Sequence, residues 1–280
     1  MIKNHPILKK YGQHFLQDIN IAEKIVRLAA LPDRARVIEI GPGRGMLSKA
    51  ILANSNASLL AIEKDKNLAP YLEALLLEFP DRFTLSFQDA LAWQLNGEAK
   101  TDSPYYQYDM IANLPYNIGS QLLVNFCQQH FFYRQMVLMF QKEVAMRLVA
   151  KPSTADFGRL SILVQTIAQV EWLFTLPPSA FFPMPKVESA VVRLVIKQTP
   201  LPCDMTALGF LTNILFQQRR KQLHHGLANI IGGDKKRAKY IMAQLAILDK
   251  SRAEDLPPAV FWQITNYMLD DINILCNKKS

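Results

Sequence analysis

Short apolar runs alternate with helical patterns over the first two-thirds of the chain. Ala35-Arg36-Val37-Ile38-Glu39-Ile40 reads as a buried strand that enters a glycine-rich turn, and a helix is expected from about Met46 to Leu52. Ser58-Leu59-Leu60-Ala61-Ile62 is the second strand, and Leu68, Leu72, Leu75 and Leu76 mark one face of the helix behind it. Further strands are expected at Phe83–Phe87, Met110–Ala112 and Gln135–Phe140, then a helix over Arg159–Ala168. Two last strands, near Val170–Leu176 and Ala190–Ile196, have no helical pattern between them. Alternating strands and helices that end this way predict an α/β fold, a doubly wound seven-stranded sheet closing in an antiparallel hairpin. Ligands of such sheets bind beyond the carboxyl ends of the strands. Prolines in Gln198-Thr199-Pro200-Leu201-Pro202 interrupt any regular element, and from about Met205 the pattern is helical. The expected organisation is therefore a domain over 1–198 and a small all-α domain over 199–280.

Bulk properties narrow the class. The chain has 280 residues, half of them hydrophobic, which suits one large domain plus a smaller one. A net charge of +8 points to a polyanionic partner. Cys127, Cys203 and Cys276 are widely spaced and odd in number, so neither a metal site nor a disulfide framework is expected. That usage fits a reducing cytosol. Met1–Pro6 has no apolar core of a signal peptide, and no apolar run approaches the ~18 residues of a membrane span.

Asn113-Leu114-Pro115-Tyr116 follows the apolar run Asp109–Ala112 and puts three unlike tools at one strand end. The Asn113 amide can accept from an amino group, and the Tyr116 ring can stack on a flat base. Pro115 has a fixed φ and pushes Leu114 towards an extended conformation, which frees the Leu114 carbonyl as a second acceptor. The set suits a grip on the exocyclic amino group of a stacked nucleobase, although an Asn-x-Pro turn closing a strand has the same sequence.

Glu39-Ile40-Gly41-Pro42-Gly43-Arg44-Gly45 follows the first strand. Gly41 and Gly43 allow close backbone approach to a ligand. A dinucleotide fingerprint would have its third glycine at position 46, where Met46 stands, so a nicotinamide cofactor is disfavoured. The pattern resembles motif I of S-adenosylmethionine-dependent methyltransferases. Glu63 ends the second strand, where a carboxylate can accept both ribose hydroxyls, and Asp89 follows the third, where it could accept from an adenine amino group. Both acids together, behind a glycine turn, favour an adenosine site over solvated loop acids.

Three further stretches carry a family resemblance: Tyr11-Gly12-Gln13-His14-Phe15-Leu16, Phe181-Phe182-Pro183-Met184-Pro185-Lys186-Val187, and Phe216-Gln217-Gln218-Arg219-Arg220-Lys221. With motif I and Asn-Leu-Pro-Tyr they resemble the ribosomal RNA adenine N6,N6-dimethyltransferases, most closely the bacterial small-subunit enzymes of the kasugamycin-resistance methyltransferase family. The resemblance runs over nearly the whole chain in the family's order. It implies a class I methyltransferase fold over 1–198 with S-adenosylmethionine as methyl donor and no metal, and a helical domain over 199–280 for RNA and ribosome recognition. It further implies dimethylation of two adjacent adenines near the 3′ end of 16S rRNA, by a cytoplasmic monomer acting on the small subunit or its precursor.

Residue by residue, the resemblance implies that Gln13, His14 and Leu16 cover the cofactor, with His14 standing where the family usually has asparagine. Gly41 and Gly43 fall on the glycine-turn contact, Glu63 on the ribose acid, Asp89 on the adenine contact and Asn113 on the catalytic asparagine. Leu114, Tyr116 and Phe181 complete the base site, and Met184 replaces a common proline. Arg219, Arg220 and Lys221 are candidate phosphate contacts, Arg147, Lys151 and Arg159 candidate borders of the base entrance. The run Lys235, Lys236, Arg237 and Lys239 reads more readily as solvated surface. The alternatives are a large-subunit rRNA adenine methyltransferase of the antibiotic-resistance type and a non-catalytic ribosome-assembly factor. A DNA adenine methyltransferase and a nicotinamide oxidoreductase are more remote.

Overall fold

The computed structural model describes residues 13–95, 107–198 and 203–277. Met1–Pro6, Tyr11, Gly12 and 199–202, on which expectations were placed above, lie outside the described residues. Two compact units divide the chain: residues 1–145 with 169–196, and residues 146–168 with 197–280. One division between the units falls at 196/197, where the sequence places a domain boundary at 198/199. Residues 146–168, expected in the first domain, group with the C-terminal unit.

The first unit is built on seven strands: β1 (Arg36–Ile40), β2 (Ser58–Glu63), β3 (Phe83–Phe87), β4 (Tyr108–Asn113), β5 (Tyr133–Gln141), β6 (Ala168–Leu176) and β7 (Ser189–Ile196). They lie in the order 3-2-1-4-5-7-6. β1 runs parallel to β2 and β4, β2 to β3, and β4 to β5, whereas β7 is antiparallel to β5. In register, Ile40 faces Ile62, Glu63 faces Phe87 and Asn113 faces Met139. Parallel pairing brings the carboxyl ends of β1 to β4 to one edge of the sheet, and with them the glycine turn, Glu63, Asp89 and Asn113.

The central strands are mostly apolar because helices cover parallel sheets on both faces. In β1, Val37, Ile38, Glu39 and Ile40 are all buried. The helices are α1 (Ile19–Ala29), α2 (Met46–Asn54), α3 (Ala69–Glu78) and α4 (Gly119–Gln128). Asp18 caps α1 by accepting from the Asn20 amide at 2.9 Å, and Ala22, Ile25, Val26 and Ala29 bury one face of it at helical spacing. The orphan carbonyls at the end of α2 are met by Arg82, whose guanidinium donates to Leu52 O at 2.8 Å and Ser55 O at 2.7 Å. A two-residue antiparallel ribbon, Phe15–Leu16 against Phe181–Phe182, ties the segment before α1 to the segment before β7. No pattern in the sequence announces a strand that short.

α5 (Lys142–Val149) carries the chain into the second unit, which holds α6 (Arg159–Ile167), α7 (Met205–Phe216), α8 (Leu223–Ile230), α9 (Lys235–Gln244), α10 (Pro258–Tyr267) and α11 (Leu269–Asn277). Phe216 lies between Phe157 and Phe261, with ring centroids 6.5 and 6.0 Å away. α7 and α8 approach closely at Gly226, where a Cβ would come within 2.6 Å of a Leu215 methyl. Among the described residues, no helix is long and apolar enough to cross a membrane.

Candidate active site

A cleft of about 250 Å3 opens at the carboxyl edge of β1 to β4. Its floor is the turn after β1. Gly41, Gly43 and Gly45 all have positive φ (68°, 61° and 79°), which accounts for glycine at every second position. At Gly43 a side chain is excluded twice, by this φ and by the Phe15 ring, 2.7 Å from where a Cβ would sit. Gly45 starts α2 in the left-handed conformation without a side-chain cap. The early third glycine is therefore a helix-start requirement of this turn.

The turn is braced by Glu63. Its Oε2 accepts from the Gly43 amide at 3.2 Å, and its Oε1 accepts from the Lys64 and Asp65 amides at 2.8 Å each. Burial pushes the Glu63 carboxyl above its usual range, and the three amide donors oppose that shift. Asp65, itself buried, accepts from Gln13 Nε2 at 3.1 Å and so anchors the N-terminal segment over the cleft. Deeper in, Glu39 is 1% exposed and takes a 2.5 Å hydrogen bond from the Ser48 hydroxyl. Desolvation, with a smaller push from Glu63, raises its pKa to about 8, so the group is held largely neutral.

Asp89 lies past the end of β3. Its Oδ1 accepts from the Leu91 amide at 3.0 Å and its Oδ2 from Lys64 Nζ at 2.6 Å. The Lys64 hydrogen bond is the main reason its carboxyl stays below the usual range. An incoming amino group would share this charged acceptor with Lys64.

Asn113 is the last residue of β4. Its Nδ2 donates to the His14 carbonyl at 2.9 Å, while its Oδ1 is buried and has no hydrogen-bond partner among the described residues. Turning the amide over would set two oxygens against each other, so this contact fixes which end is the acceptor. A buried acceptor without a donor is costly, on the order of 1–3 kcal/mol, unless a ligand supplies one. Tyr116 lines the same cleft, its hydroxyl hydrogen-bonded to the buried Ser189 Oγ and its ring centroid 5.0 Å from that of His14.

The structure thus gathers Gln13, His14, Leu16, Gly41 and Gly43 around one cleft. Glu63, Asp89, Asn113, Leu114 and Tyr116 line it too. Phe181 requires a correction. It does not line the cleft, and at 3% exposure its ring belongs to the hydrophobic core. Neighbouring residues in a strand point to opposite faces, and this register turns Phe181 inward and leaves Phe182 half-exposed. In the second unit, Arg219 is held by Glu254 at 2.7 Å and by the Ala155 and Thr154 carbonyls, whereas Arg147, Arg220 and Lys221 are exposed. Among the described residues, no cluster of three His, Cys, Asp or Glu side chains could hold a metal. Glu39, Lys64 and Asp65 were missed as site residues. Glu39 alone left a signal, an acid inside an otherwise apolar strand.

Comparison with known proteins decides the family. The model of the family described as ribosomal RNA adenine dimethylase matches residues 4–270. The chain belongs to the ribosomal RNA adenine dimethylase family. It is 38% identical to ribosomal RNA small subunit methyltransferase A of Bradyrhizobium diazoefficiens, over 96% of this chain and 94% of that protein. It is 40% identical to the protein of the same name from Sinorhizobium medicae, over 92% and 91% of the two chains. Among solved structures it resembles a dimethyladenosine transferase from Plasmodium falciparum, with a TM-score of 0.76, 25% identity, and coverage of 92% of this chain and 98% of that one. The 23S rRNA methyltransferase ErmE shares the fold, with a TM-score of 0.64 at 21% identity, over 91% and 99% of the chains. The first unit of this rRNA adenine dimethylase is accordingly a class I S-adenosylmethionine-dependent methyltransferase fold, and the protein is an rRNA adenine dimethyltransferase.

Proposed function

We propose that this dimethylase uses S-adenosylmethionine to dimethylate N6 of two adjacent adenines in the hairpin near the 3′ end of 16S rRNA. It acts as a cytoplasmic monomer on the small subunit or its precursor, late in subunit biogenesis. The observation that carries the reading is the buried Asn113 Oδ1, which has no hydrogen-bond partner among the described residues and belongs to a residue lining the same cleft as Glu63 and Tyr116. The names of the two bacterial relatives support the small subunit over the large one.

The cleft residues fit the methyl donor. Among the described residues, Glu63 Oε2 accepts from one backbone amide, which leaves it capacity for a ribose hydroxyl. Asp89 would take the adenine amino group, the turn at Gly41 and Gly43 would lie along the ligand, and Gln13, His14 and Leu16 would cover it. When bound, S-adenosylmethionine supplies an electrophilic methyl group on a positively charged sulfur.

Adenine N6 is a poor nucleophile because its lone pair is delocalised into the ring. With the base swung out of its stack, Tyr116 supports its face, and Asn113 Oδ1 and the Leu114 carbonyl accept the two amino protons. Two acceptors below the nitrogen favour a pyramidal geometry and direct the lone pair to the opposite side. Positive charge grows on N6 as its new bond forms, so the same acceptors hold the transition state better than the ground state. No side-chain base is required, since the resulting ammonium is acidic enough to lose its proton to water. In the second transfer N6 carries one proton, and one acceptor becomes dispensable. The exposed Arg147, Arg220 and Lys221 supply phosphate contacts from the second unit.

Small subunits lacking the modification, incubated with the protein and labelled cofactor and mapped by mass spectrometry, test the reading. Label on two adjacent adenines near the 3′ end is the expected result. Label only at other positions of the small-subunit RNA, or none despite cofactor binding, would overturn it.

A further inference from the structure

His14 joins three stretches that are far apart in sequence. Its backbone carbonyl accepts from Asn113 Nδ2 at 2.9 Å, and its Nδ1 donates to the Pro183 carbonyl at 2.7 Å. Its ring lies 5.0 Å from the Tyr116 ring, centroid to centroid, with 36° between the planes. The next residues are seated by the ribbon, Phe15 opposite Phe182 and Leu16 opposite Phe181. Tyr116 is thus fixed at two points, its hydroxyl by Ser189 and its ring by His14. A ring held at both ends offers a base one orientation. The carbonyl that sets the Asn113 amide belongs to the same residue, so acceptor and stacking surface share one support.

We propose that the His14 side chain is a positioning residue for methyl transfer, holding Tyr116 and the Pro183 turn in register with Asn113. This rests on the function proposed above and adds a role for a residue whose side chain need not touch the base. The consequence is sharpest in the second transfer. A nitrogen that has lost one proton makes fewer hydrogen bonds, and its placement then depends more on the stacked ring.

The test is single-turnover and steady-state methylation by wild type, His14→Ala, His14→Asn (a donor without a ring) and His14→Phe (a ring without a donor). For His14→Ala the expected loss in kcat is about tenfold to thirtyfold, below the roughly hundredfold that a 1 Å misplacement can cause. KM for RNA and cofactor affinity should change by less than about threefold, since His14 would cover the cofactor through its backbone, which the variant keeps, and the Glu63 and Asp89 contacts stay intact. The ratio of N6-monomethyladenine to N6,N6-dimethyladenine should rise. A variant that merely unfolds would lower both products in proportion. His14→Asn and His14→Phe should each recover part of kcat, and they keep the proposal testable if His14→Ala folds poorly. It is overturned by wild-type kcat and product ratio in His14→Ala, by a fall in cofactor affinity equal to the fall in kcat, or by no recovery in either partial variant. A wild-type chain inactive on small-subunit RNA would overturn the functional reading itself, and this assignment with it.

Discussion

Asn113 and His14 meet side chain to backbone, Nδ2 to carbonyl oxygen at 2.9 Å, and this contact turns the amide oxygen of Asn113 into a buried acceptor without a donor. The N-terminal segment therefore sets the chemical polarity of the residue that grips the substrate. Asn113→Ala should lower kcat by about 10²- to 10³-fold, the usual cost of one preorganised group at the reacting centre. Cofactor affinity should stay within a few-fold, as titration calorimetry would show. Asn113→Asp should be equally impaired, because it sets a carboxylate oxygen against the His14 carbonyl. Near-normal turnover in either variant would sink the mechanism.

Glu63 braces the glycine turn through three backbone amides while facing the cleft. Glu63→Ala should weaken cofactor binding at least about tenfold, or ~1.4 kcal/mol. It should also destabilise the fold by on the order of 1–3 kcal/mol, since buried amides lose their acceptor. Calorimetry and urea unfolding measure the two effects separately.

Gly43→Ala combines a positive φ with a Cβ 2.7 Å from the Phe15 ring. Strain of about 1–3 kcal/mol is expected, together with a displaced Phe15. Thermal unfolding with and without cofactor should show a lower Tm and a smaller ligand-induced rise than in wild type.

Glu39 gives the first unit a pH-dependent stability. Its folded pKa of about 8 lies above the ordinary 4.5, so the native state binds the proton more tightly than the unfolded chain. The stabilisation is whole below pH 4.5 and is lost as pH rises towards 8. Urea midpoints measured across that window should fall with pH in wild type. The part of the slope due to this residue should vanish in Glu39→Gln, and an identical slope in the variant would refute the assignment.

Arg219 and its neighbours separate in two assays. Arg219→Glu breaks the pair with Glu254 and should lower the Tm. Reversing Arg220 and Lys221, both exposed, should leave Tm nearly unchanged and reduce the salt slope of RNA binding by about 2. An unchanged slope would mark that run as plain surface.

Strands β1, β2 and β5 were legible because central strands covered on both faces are written in nearly continuous apolar runs. The strand ends were legible with them, and Glu63, Asp89 and Asn113 follow from those ends. What stayed hidden depends on register or on distant partners. Phe181-Phe182 does not reveal which ring turns inward until Phe15–Leu16 is laid beside it. Asp65 reads as a solvated loop acid, yet it is 3% exposed and holds Gln13. No change of composition at residue 146 or 168 marks the segment that groups with the C-terminal unit.

The ribbon of Phe15–Leu16 on Phe181–Phe182 joins an early and a late segment of the first unit beside the site. During synthesis the glycine turn and Asn113 to Tyr116 emerge long before the stretch that seats Phe15 and His14. Contacts this distant along the chain form late. A nascent chain that ends before Phe181 can hold much of the sheet, yet its amide and tyrosine have no fixed setting. For this chain, becoming folded and becoming an enzyme are separate events, and the second waits for nearly the whole first unit to leave the ribosome.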